Sequence, residues 1–255
     1  MSTASDKNSK NRNSSMVSID FWDTLVDAAV GGKERRKIRF NALCEISGEH
    51  VTELPDAQIE AATKEAAEEF NRIWFTQQRT PKTEELVNTI LNTLGIPATK
   101  KEMDYLVKRF EESLLEGQPA LLDGADETIE ALSENYRLTL ISDTMYSPGK
   151  VIRNFLEEHA LLDHFDSFLF SDEAGFSKPN PKAFYKMLED TGCEAEASYH
   201  IGDRLNTDVS GAKKVGMHAI LFTGISMKGN ESNEADNAKP DYECASWREV
   251  QELLL

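Results

Sequence analysis

The chain is poor in cysteine. Its 255 residues contain three, Cys44, Cys193 and Cys244. They lie far apart and are odd in number, which argues against a disulfide scaffold and for a reducing compartment. No C-x-x-C pair or Cys/His cluster offers a zinc site. Long apolar runs are missing too, since nothing approaches the roughly 18 residues of a membrane-spanning helix. Positive charge is scarce: 28 Lys and Arg stand against 45 Asp and Glu, a net charge of −17. So acidic a chain is repelled by nucleic-acid backbones and anionic membrane surfaces. Its densest basic stretch, residues 33–39 (KERRKIR), reads as part of a helix. Residues 1–15 (MSTASDKNSKNRNSS) lack the apolar core of a secretory signal and read as a disordered polar tail. Cytoplasmic localisation follows as the expectation, with no nucleic-acid or membrane partner.

What is present is ordinary globular material, 40% hydrophobic and 29% charged. That length supports one large domain, or one with a substantial insert, without staples. A β-type run at 16–19 ends in the polar cluster Asp20-Phe21-Trp22-Asp23-Thr24. A long helical region follows, over about 28–116. Ile59, Ala62, Ala66, Phe70, Ile73 and Trp74 fall at spacings of three and four, one face of an amphipathic helix. Leu86, Val87, Ile90, Leu91 and Leu94 repeat the pattern, as do Met103, Leu106, Val107, Phe110 and Leu114. Three such stripes in a row predict a small helical bundle.

From about residue 120 helices and strands alternate. Strands are expected at 137–141, 167–170, 199–201 and 218–222, with helices between them. The Gly-, Ser- and Asn-rich segment 225–240 is expected to be a mobile loop, and a last helix carries Trp247, Val250 and Leu254. Alternation of this kind predicts an α/β fold, a parallel sheet covered on both faces. Ligands bind beyond the carboxyl ends of such strands. Asp20, Ser142 and Asp203 all fall at that edge.

The segments VSIDFWDTLVD, LTLISDT, FSKPNPKAF and HIGDRLNTDVSGAKKVGM occur in that order. In this the chain resembles the haloacid dehalogenase-like (HAD) hydrolase superfamily over about residues 16–255. The resemblance implies a Rossmann-like core, residues 16–27 and 117–255, with residues 28–116 as an inserted helical C1 cap. It implies Asp20 as nucleophile, because a carboxylate can attack phosphorus or carbon and be released by hydrolysis. Thr24 and Ser142 would hold the nucleophile and a phosphoryl oxygen, with Asp143 in the same substrate-binding set. Lys178, on a loop stiffened by Pro179 and Pro181, would offset the repulsion between Asp20 and an anionic substrate. Mg²⁺ would be held by Asp20, Asp203, Asp208 and the backbone carbonyl of Trp22, since a hard cation takes oxygen ligands. Asp208 would steady the metal shell or Lys178.

One departure bears on the chemistry. Family phosphatases usually read D-x-D-x-T, and this chain has Trp22 in place of the second Asp. That Asp serves as general acid and base, help typically worth about 10² to 10⁴ in rate. Asp23 is a poor substitute, because successive side chains leave a strand in different directions. Three readings follow. The first is a Mg²⁺-dependent phosphatase acting on a small phosphorylated metabolite, specialised for good leaving groups. The second is a 2-haloacid dehalogenase, whose halide needs no proton and whose branch carries an aromatic residue at this position. The third is a HAD-fold binding protein without activity. In the cap, Arg35 and Arg36 follow a candidate hinge, Gly31-Gly32, and read as a solvated helix face. Trp74 reads as core and His200 as a packed strand residue.

Overall fold

The computed structural model describes residues 14–50, 54–225 and 238–255. Most of the expected polar tail and of the expected 225–240 loop therefore lies outside the described residues. Six parallel strands form the main sheet in the order β5-β4-β1-β6-β7-β8. They are β1 (Met16–Ile19), β4 (Arg137–Ser142), β5 (Ser167–Phe170), β6 (Tyr199–Gly202), β7 (His218–Phe222) and β8 (Tyr242–Cys244). Five were expected from their apolar runs. β8 was not: it is a three-residue edge strand with Tyr242 and Glu243 exposed, so it carries almost no hydrophobic pattern.

Side-chain alternation along these strands feeds two cores. Val17, Ile19, Leu138, Leu140, Ile220 and Phe222 face one way. They pack against α5 (Ala125–Asn135), α6 (Gly149–Glu158) and α10 (Trp247–Leu254). Met16, Ile141, Leu169, Ala219 and Leu221 face the other way. There α8 (Pro181–Thr191) and α9 (Ser210–Lys214) cover them. The sheet is thus buried on both faces, as an all-parallel sheet requires.

The helical insert contains four helices where three stripes were read. They are α1 (Gly32–His50), α2 (Asp56–Gln77), α3 (Thr83–Leu94) and α4 (Lys100–Glu116). α1 escaped the stripe count because its charged residues interrupt the apolar spacing, although Leu43 and Ile46 are buried in the insert's own core. The helices do not begin at 28. Val26–Asp27 (β2) pairs antiparallel with Ala120–Leu121 (β3), a two-stranded ribbon through which the chain enters and leaves the insert.

Of Gly31-Gly32, expected to be a flexible hinge, Gly31 is closely packed. Gly31 has φ +67°, and a Cβ there would lie 2.4 Å from the Gln118 carbonyl oxygen. Arg35 is likewise not on a solvated face. It is buried, and its guanidinium donates to the carbonyls of Ala28 (2.5 Å), Val30 (3.0 Å) and Gly117 (2.6 Å). It staples the two crossing segments at the base of the insert. Arg36 is exposed. Among the described residues no helix is long and apolar enough to cross a membrane, and the three cysteines are free.

Candidate active site

β1, β4 and β6 end side by side, so the residues that follow them meet at one edge. Asp20 follows Ile19, Asp143 follows Ser142, and Asp203 follows Gly202. The Lys178 ammonium sits among them, buried, 2.5 Å from Asp20 Oδ1 and 2.7 Å from Asp208 Oδ1. The loop that carries it is tied down where the Lys178 backbone N–H donates to Asp143 Oδ1 (3.0 Å).

Asp208 reaches this position through a single π-turn over Leu205–Val209. The wide turn folds its carboxylate back, and Oδ2 accepts from the Arg204 N–H (3.2 Å) and the Thr207 hydroxyl (3.1 Å). Such turns are rare and concentrate at functional sites. Gly202 makes room for it: a Cβ there would lie 2.3 Å from Asp208 Cγ.

His200 is packed, as expected, yet it also belongs to this network. Its Nε2 lies 3.0 Å from Asp208 Oδ1 and its Nδ1 lies 2.5 Å from Ser18 Oγ, on the neighbouring strand. A neutral imidazole with its proton on Nε2 donates to the carboxylate and accepts from the hydroxyl. Burial pushes His200 down, which favours that neutral form despite the adjacent carboxylate. The polar partners on facing strands were not visible in a single strand's pattern.

Charge here is out of balance. Burial alone would lower Lys178, but Asp20, Asp208 and Asp143 outweigh it and hold the ammonium charged. Burial would raise Asp208, and Lys178 with His200 brings it well below the carboxylate range. The other acids pay for that arrangement. Burial lifts Asp20, with Lys178 pulling against it and Asp208 and Asp203 adding to it. Burial and then Asp208 push Asp203 up to about 7, and burial pushes Asp143 to about 6. Oxygens of Asp20, Asp203 and Asp208 lie within 4.8 Å of one another. Three carboxylates converging with surplus negative charge are a fitting donor set for a small hard dication.

Removing the ammonium should be costly. Lys178→Met leaves Asp20 and Asp208 buried without their counter-charge, a loss expected at about 3–5 kcal/mol. Without the lysine both carboxylates are raised in the native state relative to the unfolded chain. The deficit should therefore narrow as pH falls and they protonate. Urea unfolding of both proteins across pH 5–8 checks magnitude and sign.

Above these groups lies a cavity of about 360 Å³. Asp20, Asp143, Lys178, Asp203 and Asp208 all line it, and so does Trp22. Thr24 and Ser142 are not on its wall. Both are fully buried beside it, with hydroxyls that have no partner among the described residues. Asp23 also lines the cavity, with φ +55° and Oδ1 accepting from the Ala28 N–H (3.0 Å).

The insert supplies the roof. Trp74 of α2 is buried and donates from its indole N–H to Asp143 Oδ2 (2.9 Å). The Arg204 guanidinium lies 5.3 Å from its ring centroid. Trp74 is thus core and cavity wall together, which helical spacing alone could not distinguish. Thr80 Oγ1 bonds Ser171 Oγ (2.6 Å) and Lys150 pairs with Glu111 (2.6 Å), further ties between roof and sheet domain.

Comparison with known proteins agrees with this architecture. The family described as haloacid dehalogenase-like hydrolase matches residues 56–222. A glyceraldehyde 3-phosphate phosphatase of Methanothermobacter thermautotrophicus is 28% identical over 207 residues, 80% of this chain and 84% of that protein. The haloacid dehalogenase-like hydrolase domain-containing protein 3 of Bos taurus is 33% identical over 105 residues, 41% of this chain. The match spans only 40% of that relative's length. Among solved structures, a 2-haloacid dehalogenase from Pseudomonas syringae superposes with a TM-score of 0.70 at 21% identity, covering 94% of this chain and 97% of that one. A HAD phosphatase from Thermococcus onnurineus gives 0.61 at 22%, with the same coverage. The chain belongs to the haloacid dehalogenase-like hydrolases.

Proposed function

We propose that this hydrolase is a Mg²⁺-dependent phosphatase of small phosphorylated metabolites, working through a phosphoryl-aspartate on Asp20. The observation that carries this reading is the surplus of carboxylate around a single buried ammonium. Asp20, Asp203 and Asp208 converge within 4.8 Å; the Lys178 ammonium bonds Asp20 and Asp208, and the Arg204 guanidinium stands 3.9 Å from Asp203. A monoanionic haloacid would add to that surplus, whereas a dication bound together with a dianionic phosphoryl group brings no net charge to it. The phosphatases among its relatives support the same choice.

Asp203, Asp208 and Asp20, with the Trp22 carbonyl, are the residues that would hold Mg²⁺. When bound, the ion would neutralise phosphoryl oxygens facing these carboxylates. Lys178 pins Asp20 Oδ1 and leaves Oδ2 as the attacking atom. Oδ2 forms a bond to phosphorus, the bond to the leaving oxygen breaks, and that oxygen departs with the electron pair. Water then attacks the phosphoryl-aspartate, releasing inorganic phosphate and restoring the carboxylate. Asp143 fixes the lysine loop on one oxygen and the roof tryptophan on the other, so it orients and does not react. The orphaned hydroxyls of Thr24 and Ser142 lie buried beside the cavity and off its wall, so a shift of these side chains would have to bring them to the nucleophile or the phosphoryl group.

Trp22 on the cavity wall favours a second reading, dehalogenation, in which the departing halide needs no acid. Phosphate release from acetyl phosphate and p-nitrophenyl phosphate, with Mg²⁺ or with EDTA, separates the two. Turnover with Mg²⁺ that EDTA abolishes is the expected result. Halide release from 2-chloropropionate in EDTA, with no phosphate release in Mg²⁺, would replace this reading with the dehalogenase.

A further inference from the structure

A second and larger cavity, about 660 Å³, opens to the surface of the helical insert between α1, α2 and α4, with the exposed Arg36, Asp56 and Glu60 among its lining. Arg36, Arg39, Phe40, Leu43, Ala67 and Phe110 are among its walls. It adjoins the cavity over Asp20. Ala67 belongs to both, and the Arg39 guanidinium, on the second, lies 5.0 Å from the ring centroid of Tyr146, on the first.

Arg39 contrasts with its neighbour Arg35. Arg35 places its guanidinium on three backbone carbonyls and is a finished structural contact. Arg39 has five N–H donors and, among the described residues, one acceptor, Ser113 Oγ at 3.1 Å. No carboxylate pairs with it there. Burial lowers it to about 10, Tyr146 opposes that, and Arg35 and Arg36 add to it. Tyr146 is itself buried, and its hydroxyl has no partner among the described residues. A half-buried guanidinium with most of its donors unused, stacked on the ring of a tyrosine whose hydroxyl is orphaned, is an arrangement that an anion would complete. Asp56 and Glu60 also border the second cavity, but both are exposed and can turn to solvent. The apolar faces of Phe40, Leu43 and Phe110 leave room for the carbon frame of a ligand.

We propose that Arg39, stacked on Tyr146 where the two cavities adjoin and with Arg36 at the outer wall, forms a subsite for a second anionic group, carboxylate or phosphate, at the end of the substrate remote from Asp20. The substrate class is then a phosphate monoester carrying a further anion. This rests on the phosphatase reading for the position of the first phosphoryl group.

The test is direct binding, so that it does not depend on turnover. In Asp20→Asn protein with Mg²⁺, dissociation constants are measured by calorimetry for two matched pairs. One is 3-phosphoglycerate against glyceraldehyde 3-phosphate, the other fructose 1,6-bisphosphate against fructose 6-phosphate. The doubly anionic member of at least one pair is expected to bind about tenfold tighter or better, the scale of a charge-assisted bidentate contact. Adding Arg39→Met should bring that ratio close to one, and Arg39→Lys should keep part of it. Arg36→Met, at an exposed position that the fold does not need, should lower it by a smaller factor. A ratio near one in both pairs, or a ratio unmoved by Arg39→Met and Arg36→Met alike, overturns the subsite. Equal binding of free malonate whether or not a doubly anionic phosphate ester is bound would move the anion to a separate effector site and overturn it as a substrate subsite. Discrimination without hydrolysis of any ester would sink the phosphatase and leave the subsite standing; hydrolysis without discrimination does the reverse.

Discussion

Asp20→Asn is expected to lower phosphate release from acetyl phosphate by on the order of 10⁴-fold or more, because the amide oxygen is a far weaker nucleophile than the carboxylate. The substitution suits the site. Asparagine keeps the length of the side chain and a carbonyl oxygen that can still accept from Lys178, whose ammonium lies 2.5 Å away. It also relieves a buried carboxylate that burial, Asp208 and Asp203 all push upward, so the variant should fold at least as well as the parent. Loss of rate with a retained thermal midpoint therefore reports chemistry and not collapse of the site. The companion observation is covalent. Acid-quenched parent protein should carry a phosphoryl group on the peptide containing Asp20, and the variant should not. Turnover within a few-fold of the parent would mean that water attacks phosphorus directly and that Asp20 only helps to hold the metal.

The parts of this site that sequence reading located are those that obey the strand-end rule. Asp20 and Asp203 are the first residues past β1 and β6, and in a parallel sheet such positions converge whatever the loops do. Lys178 and Asp208 were placed with them through motif order, although neither sits at a strand end. What stayed hidden depends on distances between elements remote in sequence. Ser18 and His200 are 182 residues apart, and only the register of β1 against β6 makes them partners. Trp74 and Asp143 meet because the insert folds back over the sheet edge. Arg35 read as a solvated helix face since its neighbours are charged, but its acceptors are backbone carbonyls, which no residue pattern displays. The ribbon β2–β3 is two residues per strand, too short for a periodicity to register.

Trp22→Asp should change what the enzyme can hydrolyse. The Trp22 ring lies on the cavity wall, 4.9 Å from the Phe21 ring in an edge contact, with the Arg35 guanidinium 5.6 Å from its centroid. A carboxyl group there would be the only added acid on that wall. It would share the cavity with Asp20, Asp203 and Asp208, whose charges raise a new neighbour, while bound Mg²⁺ and Arg35 pull the other way, so the pH profile of the variant reports the balance. A protonated acid is what an alkoxide leaving group lacks in the parent. For alkyl phosphates kcat/KM is expected to rise by about 10² to 10⁴, the usual worth of general acid–base help. For acetyl phosphate, whose acetate leaves without a proton, the change should stay within about threefold, so the ratio between the two substrates is the decisive quantity. Losing a half-buried indole should cost about 2 kcal/mol, less than a fully buried Trp because part of the ring is already solvated. Arg35 keeps its three carbonyl acceptors and should hold the base of the insert in place. Trp22→Ala opens the same volume without supplying a proton, and it separates the two explanations. A gain on alkyl phosphates in the alanine variant equal to that in the aspartate variant would make Trp22 a steric filter. A gain confined to the aspartate variant would show that the parent's cavity is complete for phosphoryl transfer and wants only the acid.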